Sequence, residues 1–557
     1  MKNLLKITAV FCLTFFGSCG LTDLDGNLED PNNVGVTNLD PNLLMNKIQL
    51  DFSQFYTEVN DPAMQLARMK ALIGGDTYEK AFQPQDFDDI WDNAYQEVLI
   101  QIETLLLKTD NTNFTVHSGV ARVLKAYVLL TLVDMFGDVP YSEALKGATG
   151  NFNPKADSGK AVYDAAIVIL DDAIALLGKT APAPAPLSRD IYYAGSAAKW
   201  IALANTLKLK AYMNTRLVDA TTAKAKVADL LTKDLIDTDA EEFTYKYAAV
   251  NVPARSRHPL YRADYQPNAG AAADYISNHF MFITYNQKGV QDPRWRYYFF
   301  RQTGSLARAL QDDPKSVPCI ISPRPSHFVG QTWCSFEPGF FGREHGNSDG
   351  IPPDQKARTC YGVYPAGGRI DVNVGDNAYF VQTQLGQGAN GAGISPIWMA
   401  SFTDFLKAEA AITLGTAGDA KALLLSGVKK SITRVRAFAV SKNQTLPTGV
   451  EPSEDAYTTK VTELYDAAAS NDAKISVYGR EYHIALWGNG IEAYNMYRRL
   501  GGKPDMQPMR NAAPGNFIRS FIYPSDYVSL NSAAKQKTPS AVNKTFWDNN
   551  ADAPFNK

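Results

Sequence analysis

The stretch that decides the fold is Leu132 to Leu145, LVDMFGDVPYSEAL. Upstream of it, Val120, Val123, Leu124, Tyr127 and Leu130 recur at helical spacing, with few polar positions on any side. That pattern predicts an apolar helix buried all round. Gly137 can take the left-handed conformation that closes the helix, and Pro140 prevents its resumption. A new polar start follows at Ser142-Glu143. The rest of the chain reads as helical pairs packed around hinges of this kind.

Working outward, Trp91, Tyr95, Val98, Ile102 and Leu105 mark one face of an earlier helix. Ser158 is placed as an N-cap, and Val162, Ala166, Ile169, Ala173 and Leu176 mark the helix after it. The alternating Ala-Pro run from Ala181 to Pro186 cannot continue that helix, because proline lacks the amide donor and clashes with the preceding turn. Trp200, Leu203, Leu207 and Ala211 define another. Paired helices at these spacings point to a mostly α, tetratricopeptide-like helical-repeat scaffold. A plain helical bundle is the alternative.

The 557 residues are 45% hydrophobic and 20% charged, enough for a large core with more than one sub-structure. A net charge of −3 lacks the basic surplus of a nucleic-acid binder. The chain carries 28 Tyr, 27 Phe and 7 Trp, a surplus that can supply stacking surface as well as core. At the N-terminus, Lys2 and Lys6 precede an apolar run, Ile7 to Phe16, too short for a membrane span. Phe16-Gly17-Ser18-Cys19 looks like a lipobox. Residues 1–18 are then a signal peptide, Cys19 the lipidated first mature residue, and 19–42 a polar, acidic tether. The alternative is an ordinary secretory signal with a stray cysteine. No later run is long and apolar enough to span a bilayer.

Residues 43–250 read as one helical-repeat half. From 251 to 395 helix patterning fades, and Gly, Pro, Asn and aromatics dominate. A loop region this long is usually functional. Trp333, Phe336, Phe340, Phe341, Arg343, His345, Asp349, Tyr361 and Tyr364 fall within it. Flat aromatic faces match the C–H faces of sugar rings, while Arg and Asp satisfy hydroxyls. Ligand contacts are therefore placed at Trp333, Phe340, Phe341, Arg343, Asp349 and Tyr364, with Tyr78 on the Gly74-Gly75-Asp76 turn. A satellite core beneath loops is the competing account. Cys319, Cys334 and Cys360 allow one bridge; Cys319–Cys334 closes the shortest loop, and three buried thiols are the alternative. Their spacing gives no paired zinc-ligand hairpin. No metal or cofactor site is assigned.

Two motifs resemble catalytic ones. Gly346-Asn347-Ser348-Asp349-Gly350 matches G-x-S-x-G without a strand before it or a helix after it. Gly386 to Gly391 matches G-x-G-x-x-G, but Pro396 delays the next helix and no βαβ pattern surrounds it. Both read as turns, and no P-loop is present.

The second helical half spans 396–500. It includes a helix from Trp398 to Ile412, a partner from Ala420 to Ala437, one from Ala456 to Ser470, and a last one from Gly479 to Gly502. Gly488-Asn489-Gly490 is expected to weaken or bend the last. A tail, 501–557, packs on the scaffold.

Several of these stretches together resemble the SusD/RagB family, surface nutrient-binding lipoproteins of Bacteroidetes-type bacteria. They are LVDMFGDVPY; residues 153–177; YYAGSAAKWIALANTLKLK from Tyr192; Asp292-Pro293-Arg294; LKAEAAI; and, the most specific, LWGNGIEAYNMYRRLGG. The closing Arg519 to Asn531 segment departs from the family pattern. It has one extra residue before Tyr523, and Tyr527 stands where glutamate is usual, so Asp526 is offered as the carboxylate. The resemblance implies a non-enzymatic, outer-membrane, surface-facing lipoprotein. It would bind an oligosaccharide, with a peptide as the alternative within the family, and pass it to a SusC-like TonB-dependent outer-membrane transporter. A secreted glycoside hydrolase and a purely structural repeat scaffold are the alternatives from other classes.

Overall fold

The computed structural model describes residues 39–253, 255–266, 274–312, 319, 322–347, 357–373, 379 and 381–555. Cys19, Ser348 and Asp349 lie outside them. The fold is mostly α, with three two-stranded sheets among the described residues. Helices α1 (Pro41–Leu66), α2 (Ile100–Thr109), α3 (Thr115–Phe136), α4 (Gly159–Leu177), α5 (Ala197–Thr215) and α6 (Ala220–Leu230) form the first half. The second half comprises α7 (Ala400–Leu414), α8 (Ala420–Ser441), α9 (Glu454–Ala467), α10 (Asn471–Ala485) and α11 (Gly490–Arg499). Most helices pack on their sequence neighbour, α7 joins the halves by contacting α5 and α6, and α11 returns to pack on α1. Among the described residues no helix is long and apolar enough to cross a membrane.

Helix α3 is buried on every side except at Arg122 and Lys125, which reach out to Asp110 and Glu103. Gly137 ends it at φ 74°, with its amide on the Val133 carbonyl at 2.8 Å. Beyond the break, β1 (Val139–Pro140) pairs antiparallel with β2 (Ala156–Asp157). The expected start at Ser142 forms no helix. The Asp157 carboxylate takes the Tyr141 and Ser142 amides at 2.9 and 2.8 Å and so ties them to β2. Asp138 accepts the Gly159 amide at 2.7 Å while Ser158 accepts that of Ala161, and the two together open α4.

Other departures from the sequence reading have local causes. Trp91 to Leu105 share a buried side, but Asn93–Leu99 winds as a π-helix between two α segments. Helix α4 buries Leu170 and Leu177 in place of Ile169 and Leu176. Trp398 lies in a strand: β4 (Ile394–Trp398) pairs with β3 (Phe243–Lys246), one strand on each side of the irregular middle. Pro396 inside β4 cannot belong to a helix interior. Gly488-Asn489-Gly490 divides α10 from α11 outright. Gly488 has φ 92°, and Asn489 caps α11 through the Glu492 amide at 2.9 Å. A Cβ on Gly490 would lie 2.2 Å from the Met64 nitrogen, so only glycine lets α11 meet α1 here. In the tail, Tyr527 packs its ring on Trp91 at 4.7 Å, while Asp526 is exposed.

Residues of LVDMFG, LKAEAAI and GIEAYNMYRR meet in two buried ionic clusters. Asp134, in the middle of LVDMFG, accepts from Asn495 at 2.8 Å, Trp547 at 2.9 Å and the Tyr163 hydroxyl. Lys210 lies 3.5 Å from Asp134 and 2.5 Å from Glu492. Burial works to lower the Lys210 pKa, but Glu492 and Asp134 together raise it. Arg498 donates to the carbonyls of Asp134 and Arg519 at 2.7 and 2.8 Å. In the second cluster Glu409 holds Arg499 through two bonds of 2.8 Å, Arg216 at 3.1 Å and the Tyr478 hydroxyl at 2.8 Å. Burial would raise the Glu409 pKa, yet Arg499 and Arg216 hold it below the ordinary value.

Removing one partner from such a cluster leaves uncompensated buried charge and orphaned donors, at a cost of about 3–5 kcal/mol. Asp134→Ala and Glu409→Ala are each expected to lower unfolding free energy by that amount in urea titration. The exposed-site control Asp164→Ala should change it by less than about 0.5 kcal/mol.

Candidate ligand-binding surface

Three loop segments, 72–82, 322–347 and 505–517, meet on one side of the scaffold. Tyr78 donates its amide to Pro514 O at 3.0 Å, and Gly346 donates to Leu72 O at 2.8 Å. His327 Nε2 lies 2.9 Å from Met509 O, Gln507 Nε2 donates to Thr332 O at 2.8 Å, and Arg510 Nη1 to Asn347 Oδ1 at 2.8 Å. Cys319 and Cys334 are joined by a disulfide, which ties the 322–334 loop at its base. Cys360 is a buried free thiol whose pKa burial pushes up.

The structure places most of the sequence-selected residues beneath this surface. Tyr78 is 2% exposed. Its hydroxyl accepts from Arg68 at 2.8 Å, and its ring packs on Phe517 and His345 at 5.5 and 5.9 Å. Phe341 joins a small core with Ala309 and Ala357. Arg343, fully buried, stacks over Tyr275 at 4.6 Å. Phe340, also fully buried, touches Phe336, Tyr285 and Trp295 at 4.8, 4.6 and 5.3 Å. Tyr364 stands apart from the others. It packs on Tyr298 at 5.8 Å, and its carbonyl accepts from Trp487 at 3.2 Å. Tyr78 is thus brought beside segment 343–347, Phe340 beside the Trp333 loop, and Tyr364 near neither. Asp349 is outside the described residues.

Trp333 is the selected aromatic that remains half-buried, its ring edge-on to Phe328 at 5.1 Å. Phe336, Tyr285 and Phe282 share that partial exposure, with Phe336 at 6.1 Å from both of the others. The sequence reading passed over Phe282 and Tyr285. They sit three apart on the short helix Asn278–Tyr285, a spacing that does mark one face. The frame beneath these rings is rigid. Phe336 and Phe340 exchange backbone bonds at 3.1 and 2.9 Å around Pro338-Gly339. Gly339, at φ 84°, approaches Thr303 O so closely that a Cβ would sit 2.0 Å from it. Arg301 grips Asp371 through Nε at 2.6 Å and Nη2 at 3.1 Å, and stacks on Trp295 at 4.8 Å. Next to Tyr78, a cavity of about 150 Å³ opens between Phe82, Phe87, Phe517 and Ser540. Among the described residues no group of three or more His, Cys, Asp or Glu is placed to hold a metal ion.

A helical-repeat frame of this kind is the fold of a family of outer-membrane lipoproteins. The chain belongs to the SusD/RagB family. Residues 31–313 match the family model described as "Starch-binding associating with outer membrane", and residues 373–552 match "Susd and RagB outer membrane lipoprotein". The fold is similar to that of a SusD/RagB family protein from Bacteroides thetaiotaomicron, with TM-score 0.66 and 18% identity over 92% of this chain and all of that one. It is similar to a SusD homologue from Bacteroides fragilis, with TM-score 0.64 and 15% identity over 92% and all of that chain. A chitin-binding SusD homologue from Flavobacterium johnsoniae matches with TM-score 0.62 and 19% identity over 91% of this chain and 98% of that one. No curated protein matches the sequence.

Two buried histidines brace the loop side. His483 Nε2 lies 2.8 Å from Ala67 O, and His258 Nδ1 accepts the Leu260 amide at 3.2 Å. Burial lowers both pKa values from 6.5 to about 3. The unfolded chain binds these protons below pH 6.5 and the folded one does not until near pH 3. Stability present above 6.5 is therefore lost as pH falls through that window. Urea midpoints measured from pH 7 to 4 should fall, and His483→Gln should flatten the slope by about one proton. An unchanged slope would show that His483 is already charged in the fold.

Proposed function

We propose that the chain is a surface lipoprotein that captures an oligosaccharide on the half-open rings Phe336, Tyr285 and Phe282, with Trp333 three residues before Phe336 as a further contact. It then passes the ligand to a TonB-dependent outer-membrane transporter. The observation that carries the reading is that these four rings stay partly open to solvent while their neighbours are buried. They stand on a frame braced by Arg301–Asp371 and the Cys319–Cys334 bridge. Rings pre-positioned in this way meet a sugar face without an ordering cost. The chitin-binding homologue of similar fold supports a glycan rather than a peptide. No bond is made or broken; capture and release need only a difference in affinity. The lipobox at Cys19 supplies the anchor, since several acyl chains at about 0.8 kcal/mol per buried CH₂ hold stably.

The test is calorimetry of the purified protein against a panel of chitin, starch and other glycan fragments and of peptides. Trp333→Ala and Phe336→Ala should each weaken glycan binding by about tenfold or more, with the helical circular-dichroism spectrum unchanged. Binding of peptides alone would replace the sugar by a peptide. Binding of neither would refute the site.

A further inference from the structure

A second apolar feature lies where the described chain begins. A groove of about 370 Å³ runs between the Tyr95–Leu107 stretch, α3 and the 140–146 loop. Leu99, Leu107, Leu129, Tyr141 and Leu145 line it. Leu107 at its edge is 82% exposed, well beyond its neighbours Leu99 and Leu129, which are at most 3% exposed. The adjacent residue, Lys108, donates to the Leu39 carbonyl at 2.5 Å, so the chain reaches the scaffold beside this groove. Lys125, half-buried against Glu103 and 5.9 Å from the Tyr141 ring, and the exposed Lys146 lie on its rim.

The chain preceding Leu39 is complementary in charge. Residues 20–38 contain Asp23, Asp25, Glu29 and Asp30 and no lysine or arginine. Their last part reads Val34-Gly35-Val36-Thr37, an alternation that puts both valines on one side of an extended strand. The length also fits. From Leu107 back to Tyr95 is roughly 18 Å at 1.5 Å per helical residue. About six extended residues at about 3.3 Å each cover that distance.

We propose that residues 29–38 dock in this groove, with Val34 and Val36 on Leu107 and its neighbours, and with Glu29 and Asp30 facing Lys125 and Lys146. Apolar burial drives the docking and the lysines set its direction. Docking would leave only residues 19–28 as free tether, cutting its reach from about 66 to about 33 Å. That consequence rests on the lipid-anchor reading; the docking itself does not.

The test uses the full mature chain carrying Cys19→Ser. Val36→Cys paired with Leu107→Cys should close an intrachain disulfide at least about tenfold faster than Val36→Cys paired with Val440→Cys, a position 59% exposed on α8. Equal rates would overturn the proposal. So would mainly interchain disulfides, which would assign the groove to a second copy. Independently, Leu107→Asp should speed proteolysis after Glu29 by about tenfold, and an unchanged rate would also overturn it. Leu107 is too exposed for either variant to test folding, and glycan calorimetry on the same samples keeps this result separate from the binding proposal.

Discussion

The carboxylate of Asp134 is the point on which the scaffold turns. It sits fully buried near the end of α3 and draws donors from three distant parts of the chain: Tyr163 on α4, Asn495 on α11 and Trp547 in the tail. A bare carboxylate in such a place would be prohibitively expensive. Here Lys210 supplies the counter-charge and the other donors fill the remaining lone pairs. The cluster is therefore directional as well as stabilising. Helices that packed in another register would leave Asp134 or Lys210 unpaired, and this excludes neighbouring arrangements of otherwise similar apolar faces. Glu409 repeats the device one layer away, binding α7 to α5 and α11 through Arg216 and Arg499.

The most family-like stretches are turned toward this interior. Trp487, Glu492, Asn495, Arg498 and Arg499 are at most 2% exposed and point inward to these clusters or to the hinge between α10 and α11. Trp487 packs on Phe280 at 4.7 Å and bonds to Tyr364 O, so it links the irregular middle to the scaffold. The motif secures the frame, and a frame of this stiffness lets the loops above it differ in chemistry without losing position. The strand pair β3–β4 closes that middle segment at its base, and Arg301–Asp371 and the disulfide brace it internally.

Aromatic density in the sequence drew attention to residues 333–364, but the residue types could not separate rings that face water from rings that fill the layer beneath. Phe340 and Phe336 differ by four positions and by burial alone: Phe340 lies under Trp295 and Arg301, and Phe336 lies on top of it. Tyr285 escaped notice because its exposure depends on the 336–340 turn folding beside it, a contact fifty residues away in sequence.

What the sequence alone determined is the helical-repeat class, the Gly137 hinge, the Ser158 cap and the family. These rest on local rules, namely apolar periodicity, glycine and proline backbone limits, and side chains capping nearby amides. Only the tertiary structure decided that Trp398 is a strand residue, that Asn93–Leu99 winds as a π-helix, that Asp134 and Glu409 are the ionic centres, and which aromatics remain open. Each of these depends on partners brought from far along the chain, and a charge or a ring has no inside or outside until those partners are in place.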